Sequence, residues 1–457
     1  MLDWSPEEIR RNGYAAVDAL VEHWSTLSGQ PVRQIAPLEE LEARFGAPPP
    51  ESGRPFDEVL DEATQHLLRN TMRTNHPRFF GFVPGPGNIC GAFAEMLAAG
   101  FNTFGGTWMA GGAATVVERT LLRWLCDEVG LPPESGGVMV SGGSMANLTG
   151  LVVAREVHPR GRRPDAVIYF SDQTHTASER ALRVMGVREE QMRRLPSDAL
   201  GRLDLAALRA ATRDDEAPFC VIANAGTTST GAVDDLPALA ELCREQGMWL
   251  HADAAFGGAA ILCEQGRRAL RGLELCDSLA LDPHKWLFQP FALGCLLVRQ
   301  EHWLTDVFRI IPAYMNDVYR LNAEVNFCDR GIELTRPFRA LKLWMSLQHY
   351  GVDEFRRAVS HGFHLAEVGE ARLRENPVWE IVTPAQMGVV TVRHAGDDAM
   401  QKYLVDALLS DGFAMLTSTH IGGRAALRFC PINPRTTEQD IIDTVTRLER
   451  LAEQAPR

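Results

Sequence analysis

The sequence lacks most of what would place a protein in a membrane, outside a cell or on a nucleic acid. No apolar run reaches the roughly 18 residues that a membrane-spanning helix needs. The opening residues, 1–8, are acidic and have neither the basic nor the apolar region of a secretory signal. The nine cysteines are odd in number, scattered, and never spaced Cys-x-x-Cys. That usage argues against a disulfide framework and a zinc cluster, so no metal is expected, and it suits a reducing cytoplasm. Positive charge is short: 46 Lys and Arg against 59 Asp and Glu leave a formal net charge of −13. Such a chain is expected to bind neither nucleic acid nor an anionic membrane, although one site can still be locally basic. Internal repeats and long low-complexity segments are also missing.

What is present suits one large globular domain with accessories: 457 residues, 45% hydrophobic and 23% charged. One stretch organises the rest. In residues 279–287, Lys285 sits among apolar and aromatic neighbours, between His284 and Trp286. A lysine so placed either extends its charge to water or loses its proton and becomes a nucleophile, and only the neutral amine attacks a carbonyl. Upstream, residues 248–253 read as a buried strand ending in Asp253, followed by a turn of small residues. An aspartate at the C-terminal end of a parallel strand faces the ligand crevice of an open α/β sheet. A lysine for the aldehyde and an acid for the pyridine nitrogen are the two protein groups that pyridoxal 5'-phosphate needs most. The 32 positions between Asp253 and Lys285 leave room for a turn, a helix and the next strand.

The rest of the chain supplies a frame for that pair. Ser5-Pro6-Glu7-Glu8 is a helix start, with Ile9, Tyr14, Val17, Leu20, Val21 and Trp24 on one face. Residues 45–55 are a Pro-rich tether, and a second helix is expected over 56–72. Two such helices cannot bury their apolar faces alone. Residues 75–87 alternate aromatics with Pro and Gly and read as a structured loop. Residues 138–147 read as strand, Gly-rich turn and helix start, so free N–H groups at Gly142, Gly143 and Ser144 are placed to bind a phosphate, without the Walker or Gly-x-Gly-x-x-Gly pattern. Short buried strands at 166–169, 219–223, 248–253, 278–281 and 293–298, mostly separated by helices, predict an α/β fold with a mainly parallel sheet. A long helix is expected to begin in residues 331–344. Beyond residue 370, strands at 388–392, 413–418 and 425–429 and a last helix from Thr437 predict a small α+β unit. Arg428, on the last of these strands, is either a carboxylate contact or an ordinary surface arginine.

The motifs Pro283-His284-Lys285-Trp286 and His251-Ala252-Asp253-Ala254-Ala255, taken as a pair, resemble those of the group II pyridoxal-phosphate-dependent amino acid decarboxylases. The likeness is closest to the aromatic-L-amino-acid decarboxylases and runs from about Glu8 to the C-terminal helix. It implies a fold-type I enzyme with an N-terminal segment, 1–75, that wraps the partner of a homodimer, a large cofactor-binding domain, 76–370, and a small C-terminal domain, 371–457. It implies cofactor contacts from Lys285, Asp253, Gly142, Gly143 and Ser144, a ring-stacking and catalytic His175, and further cofactor contacts from Thr228, Ser278, Asp282 and His284. Substrate contacts are implied for Phe82 and Pro84, then Phe104, Trp108 and Thr335, the last beside Arg336 where the family chooses between rings. Tyr314 matches a loop tyrosine that returns a proton to the α-carbon after CO₂ leaves. The chain departs from animal enzymes at Gly106, where they carry Phe, and at Asp282, where Asn is common. The implied reaction is decarboxylation of an aromatic L-amino acid, of the tryptophan, phenylalanine, tyrosine or dihydroxyphenylalanine type, to an amine. Rival readings are a decarboxylase of glutamate, aspartate, histidine or diaminobutyrate, an oxidative aldehyde synthase, or a cofactor-binding protein without catalysis. Phe79-Phe80-Gly81 lacks the Phe-Asn-Gln pattern of the glutamate and diaminobutyrate branches, and Tyr314 stands where aldehyde-forming relatives carry Phe.

Overall fold

The computed structural model describes residues 3–310 and 325–455. Its centre is a seven-stranded sheet of β1 (Gly136–Val140), β2 (Val167–Ser171), β3 (Met192–Leu195), β4 (Pro218–Asn224), β5 (Trp249–Asp253), β6 (Ser278–Leu281) and β7 (Gly294–Val298), in the order β1-β7-β6-β5-β4-β2-β3. The run from β3 to β6 is parallel, and β7 is antiparallel to both β6 and β1. Since β7 runs against both neighbours, β1 points the same way as β6. The C-terminal ends of β1, β2, β4, β5 and β6 therefore share one edge, where an open α/β sheet binds its ligand.

The inner strands are buried on both faces, which is why they appear as continuous apolar runs rather than alternating ones. Each expected strand lies within a few residues of its place. β3 was not anticipated, because Met192-Arg193-Arg194-Leu195 is short and charged. It is an edge strand, where charge discourages pairing with other chains.

A second, antiparallel sheet is built from β8 (Trp379–Gln386), β9 (Val389–His394), β10 (Thr417–Ile421) and β11 (Arg424–Phe429), in the order β10-β11-β9-β8. Three corrections arise here and upstream. The strand expected at 413–418 begins only at Thr417, and β8, with Pro384 on a sheet edge, was missed. The helix expected over 56–72 is regular only over Phe56–Glu62 and continues as a π-helical turn, Ala63–Leu67. The helix expected to begin within 331–344 does so, at Ala340. At the N-terminus the capping box is formed: Ser5 accepts from the Glu8 amide, and the Glu8 carboxylate accepts from the Ser5 amide at 2.8 Å. The final helix, Glu438–Glu453, is capped by Thr437 in the same way.

One buried ion pair ties the sheet to the chain ahead of the Ala340 helix. Arg336 Nη2 lies 2.6 Å from Glu118 Oε1, and the two side chains are 2% and 3% exposed. The same guanidinium donates to the carbonyls of Met139 and Gly105, while Glu118 accepts the Met139 amide. Both charges are thus paired, and three neighbouring backbone groups are bound by them. Glu118→Ala leaves an uncompensated buried guanidinium and is expected to cost about 3–5 kcal/mol in chemical denaturation. A loss below about 1 kcal/mol would show that water reaches Arg336.

Candidate active site

A cavity of about 300 Å³ opens at the shared C-terminal edge of the large sheet. Nine residues singled out from the sequence line it: Gly142, Gly143 and Ser144 after β1, His175 after β2, Thr228 after β4, Asp253 at the end of β5, and Asp282, His284 and Lys285 after β6. Sequence-distant segments meet there because parallel strands deliver all their C-terminal loops to one edge.

The turn after β1 has no room for side chains. A Cβ on Gly143 would stand 2.8 Å from both Ala255 Cβ and Asp282 Oδ2, and one on Gly142 would stand 3.1 Å from His284 Cε1. This bare backbone leads into the helix Gly143–Val157, whose first amides have no partner within the helix. Lys285 reaches the cavity with its Nζ 3.0 Å from Asp282 Oδ2. The other oxygen of Asp282 is buried without a hydrogen-bond partner. His284 Nδ1 lies 2.7 Å from the Leu293 carbonyl and 3.2 Å from the Leu293 amide, and burial lowers its pKa.

Asp253 is 7% exposed. Its Oδ1 accepts from the Ala255 amide at 3.2 Å and its Oδ2 from Asn147 Nδ2 at 3.1 Å. Among the described residues no cation pairs with it. A buried carboxylate held only by neutral donors suits a cationic partner brought by a ligand, such as a protonated pyridine nitrogen. Bare turn, amine, unpartnered oxygen and buried acid together fit pyridoxal 5'-phosphate.

Comparison with known proteins agrees. Residues 39–395 match the pyridoxal-dependent decarboxylase conserved domain. The chain belongs to the pyridoxal-dependent decarboxylase family. An aromatic-L-amino-acid decarboxylase of Bacillus atrophaeus is 43% identical to this decarboxylase over 99% of this chain and 97% of its own. A phenylacetaldehyde synthase of Arabidopsis thaliana is 32% identical over 95% of this chain and 93% of its own. Among solved structures, the Oryza sativa TDC with PLP and tryptamine superimposes with a TM-score of 0.93 at 28% identity, covering 99% of each chain. The decarboxylase therefore has the fold-type I architecture and uses pyridoxal phosphate.

Seven expected site residues stand elsewhere in the decarboxylase or beyond the described residues. Ser278 is the first residue of β6, at the strand end away from the cavity, and its hydroxyl is held by Trp249 Nε1 at 2.9 Å and His251 Nδ1 at 2.7 Å. It is not placed to meet a phosphate. Phe82, at φ 48°, lies against the second sheet, with its amide on Thr417 Oγ1 and its carbonyl accepting from Arg428. Neither Phe82 nor the buried Pro84 lines the cavity. Phe104 pairs with the backbone of Pro337, Trp108 begins a helix at the surface, and Thr335 is exposed. Tyr314 lies outside the described residues. Arg428 is no surface arginine: it is 3% exposed, with Nε and Nη2 unpartnered.

The sequence reading also missed Asn147, Asn224 and Thr227 in the cavity wall. Asn147 had a signal: it follows Gly143 by four residues, so it shares a helix face with the start of that helix.

Proposed function

We propose that this decarboxylase removes the carboxylate of an aromatic L-amino acid, releasing CO₂ and the corresponding amine. The observation that carries the reading is the meeting of Lys285, Asp253 and His175 around one cavity behind a bare glycine turn. The aromatic class is supported by the full-length likeness to an aromatic-L-amino-acid decarboxylase. Gly142, Gly143 and Ser144 would hold the phosphate end, Asp253 the ring nitrogen, and Lys285 the aldehyde carbon, with His175 and Thr228 against the ring. Bound there, pyridoxal phosphate supplies a sink for the electron pair left when CO₂ departs. The chain's own tasks are then orientation and proton handling. Asp253 keeps a proton on the ring nitrogen, and His175 orients the substrate so that its carboxylate stands out of the ring plane. Asp282, 3.0 Å from the lysine amine, holds Lys285 in place. Tyr314, assigned from sequence alone, returns a proton to the α-carbon.

We also propose a homodimer in the cytoplasm. The first helix exposes Ile9, Tyr14 and Val21, and Leu67, Leu68, Phe101 and Met109 are at least half exposed. Rings and aliphatic groups in that number suit a covering partner. A second copy seated there would also cover Trp108, as a wall of the side-chain pocket. Nine free cysteines suit the cytoplasm. Light scattering is expected to give about twice the 50.5 kDa of one chain; an active monomer would refute the dimer.

The function itself is tested by product analysis. The protein, loaded with pyridoxal phosphate, meets tryptophan, phenylalanine, tyrosine, dihydroxyphenylalanine, histidine and glutamate in parallel, and mass spectrometry reads the products. An amine from at least one aromatic substrate is expected. Product from glutamate or histidine alone would leave the cofactor site standing and overturn the substrate class.

A further inference from the structure

Behind Asp253 runs an unbroken line of buried polar groups. Asn147 Nδ2 meets Asp253 Oδ2 at 3.1 Å, and Asn147 Oδ1 meets His251 Nε2 at 2.8 Å. His251 Nδ1 meets Ser278 Oγ at 2.7 Å, and Ser278 Oγ meets Trp249 Nε1 at 2.9 Å. The line joins three elements: the Gly143–Val157 helix, β5 and β6. His251 precedes Asp253 by two residues, so both side chains leave β5 on the same face. His251 is also the register partner of Ser278. His251 is 0% exposed and Asn147 and Ser278 are each 1% exposed. Gly150 makes room for the imidazole, since a Cβ there would stand 2.9 Å from His251 Cε1.

The polarity of the line is forced from both ends. An ionised carboxylate can only accept, so the Asn147 amide nitrogen faces Asp253 and its oxygen faces His251. His251 must then carry its proton on Nε2. The indole N–H can only donate, so Ser278 accepts from Trp249 and gives its own proton to His251 Nδ1. A neutral Nε2–H imidazole satisfies every group at once. Full burial acts in the same direction, lowering the His251 pKa to about 4. On β4 the register partner of His251 is the apolar Ile222. An aliphatic side chain would fill that position without the cost of burying polar atoms.

We propose that Asn147 and His251, backed by Ser278 and Trp249, are positioning residues for Asp253. They hold its carboxylate turned into the cavity, so that the grip on the cofactor's ring nitrogen depends on groups behind it. The inference rests on the reading of the cavity as the pyridoxal phosphate site. The titratable groups sharing that cavity are His175, Asp282, His284 and Lys285, and all stay constant in the variants below.

Two measurements test it. In the first, apo-protein whose fold is checked by circular dichroism is titrated with pyridoxal phosphate, and the visible band reports Kd. Asn147→Leu and His251→Leu are expected to raise Kd roughly 10–100-fold, the size of loss that removing an outer-shell orienting group brings at metal sites. His251→Gln, which keeps an N–H donor, is expected to recover part of the loss. Asn147→Asp sets two carboxylates face to face. Its Kd relative to wild type should be worst near pH 8.5 and recover towards pH 6, where a shared proton restores a donor. A role confined to folding would lower thermal stability without this pH-dependent recovery. Kd values within twofold of wild type for Asn147→Leu and His251→Leu would overturn the proposal. The second measurement needs no variant and no cofactor. Nitrogen-15 NMR of histidine-labelled wild-type apo-protein is expected to show one histidine held as the Nε2–H tautomer from pH 5 to 8, with slow proton exchange. Its absence would likewise overturn the relay. Failure of the wild type to bind pyridoxal phosphate would instead count against the site, because the NMR result decides the relay independently.

Discussion

Lys285→Ala is expected to abolish turnover, lowering amine formation by on the order of 10⁴-fold or more, as when an enzyme loses its nucleophile. The chain has only two other lysines, Lys342 and Lys402. Lys342 is committed elsewhere, with its ammonium 2.8 Å from Glu95 and 3.1 Å from the Ala292 carbonyl. Lys402 belongs to the Asp398–Asp411 helix, which packs against the second sheet. Neither of the other two lysines can therefore take the place of Lys285 at Asp282. The variant should also lose the visible absorption of lysine-bound cofactor, while the glycine turn and Asp253 still retain some affinity for it. Amine formation at more than a few per cent of the wild-type rate would refute the assignment of Lys285.

Tyr314→Phe is expected to redirect the reaction rather than stop it. Decarboxylation leaves an electron-rich α-carbon that must receive a proton to become an amine, and a positioned phenol typically contributes 10²–10⁴-fold to such a transfer. Without it, molecular oxygen competes for the same electrons. One amino acid, one O₂ and one water then give aldehyde, CO₂, ammonia and hydrogen peroxide. The expected result is a fall in amine of roughly 10²-fold or more, with peroxide and aldehyde appearing in equal amounts. The likeness to both an aromatic decarboxylase and a phenylacetaldehyde synthase makes this outcome chemically accessible. Amine at the native rate without peroxide would remove Tyr314 from the mechanism. Because the residue lies outside those the structure describes, the expectation rests on its place 29 positions after Lys285.

The residues legible in advance share a property. Lys285, Asp253, Gly142, Gly143 and His175 sit at or just after strand ends, and strands that bury both faces announce themselves as apolar runs. Where a run stops, the next polar residue is at the sheet edge, and in a parallel sheet that edge is the site. Ser278, implied as a contact by the resemblance alone, does not share this property, since it stands at the entry of β6 rather than its exit. Phe82, Phe104, Trp108 and Thr335 lie on loops and helix starts, where no periodicity says which way a side chain turns.

The sequence by itself determined the α/β class, the use of pyridoxal phosphate and the choice of Lys285 and Asp253 as the candidates to serve it. These follow from local patterns: apolar runs, a bare glycine turn and one lysine among rings. Only the tertiary structure decided which polar groups meet inside. Arg336 with Glu118, and Asp253 with Asn147, His251, Ser278 and Trp249, pair residues that for the most part lie far apart in the chain. A buried polar atom must find a partner or lose several kcal/mol. That requirement is met by whatever the fold brings within about 3 Å, and no spacing along the chain records it.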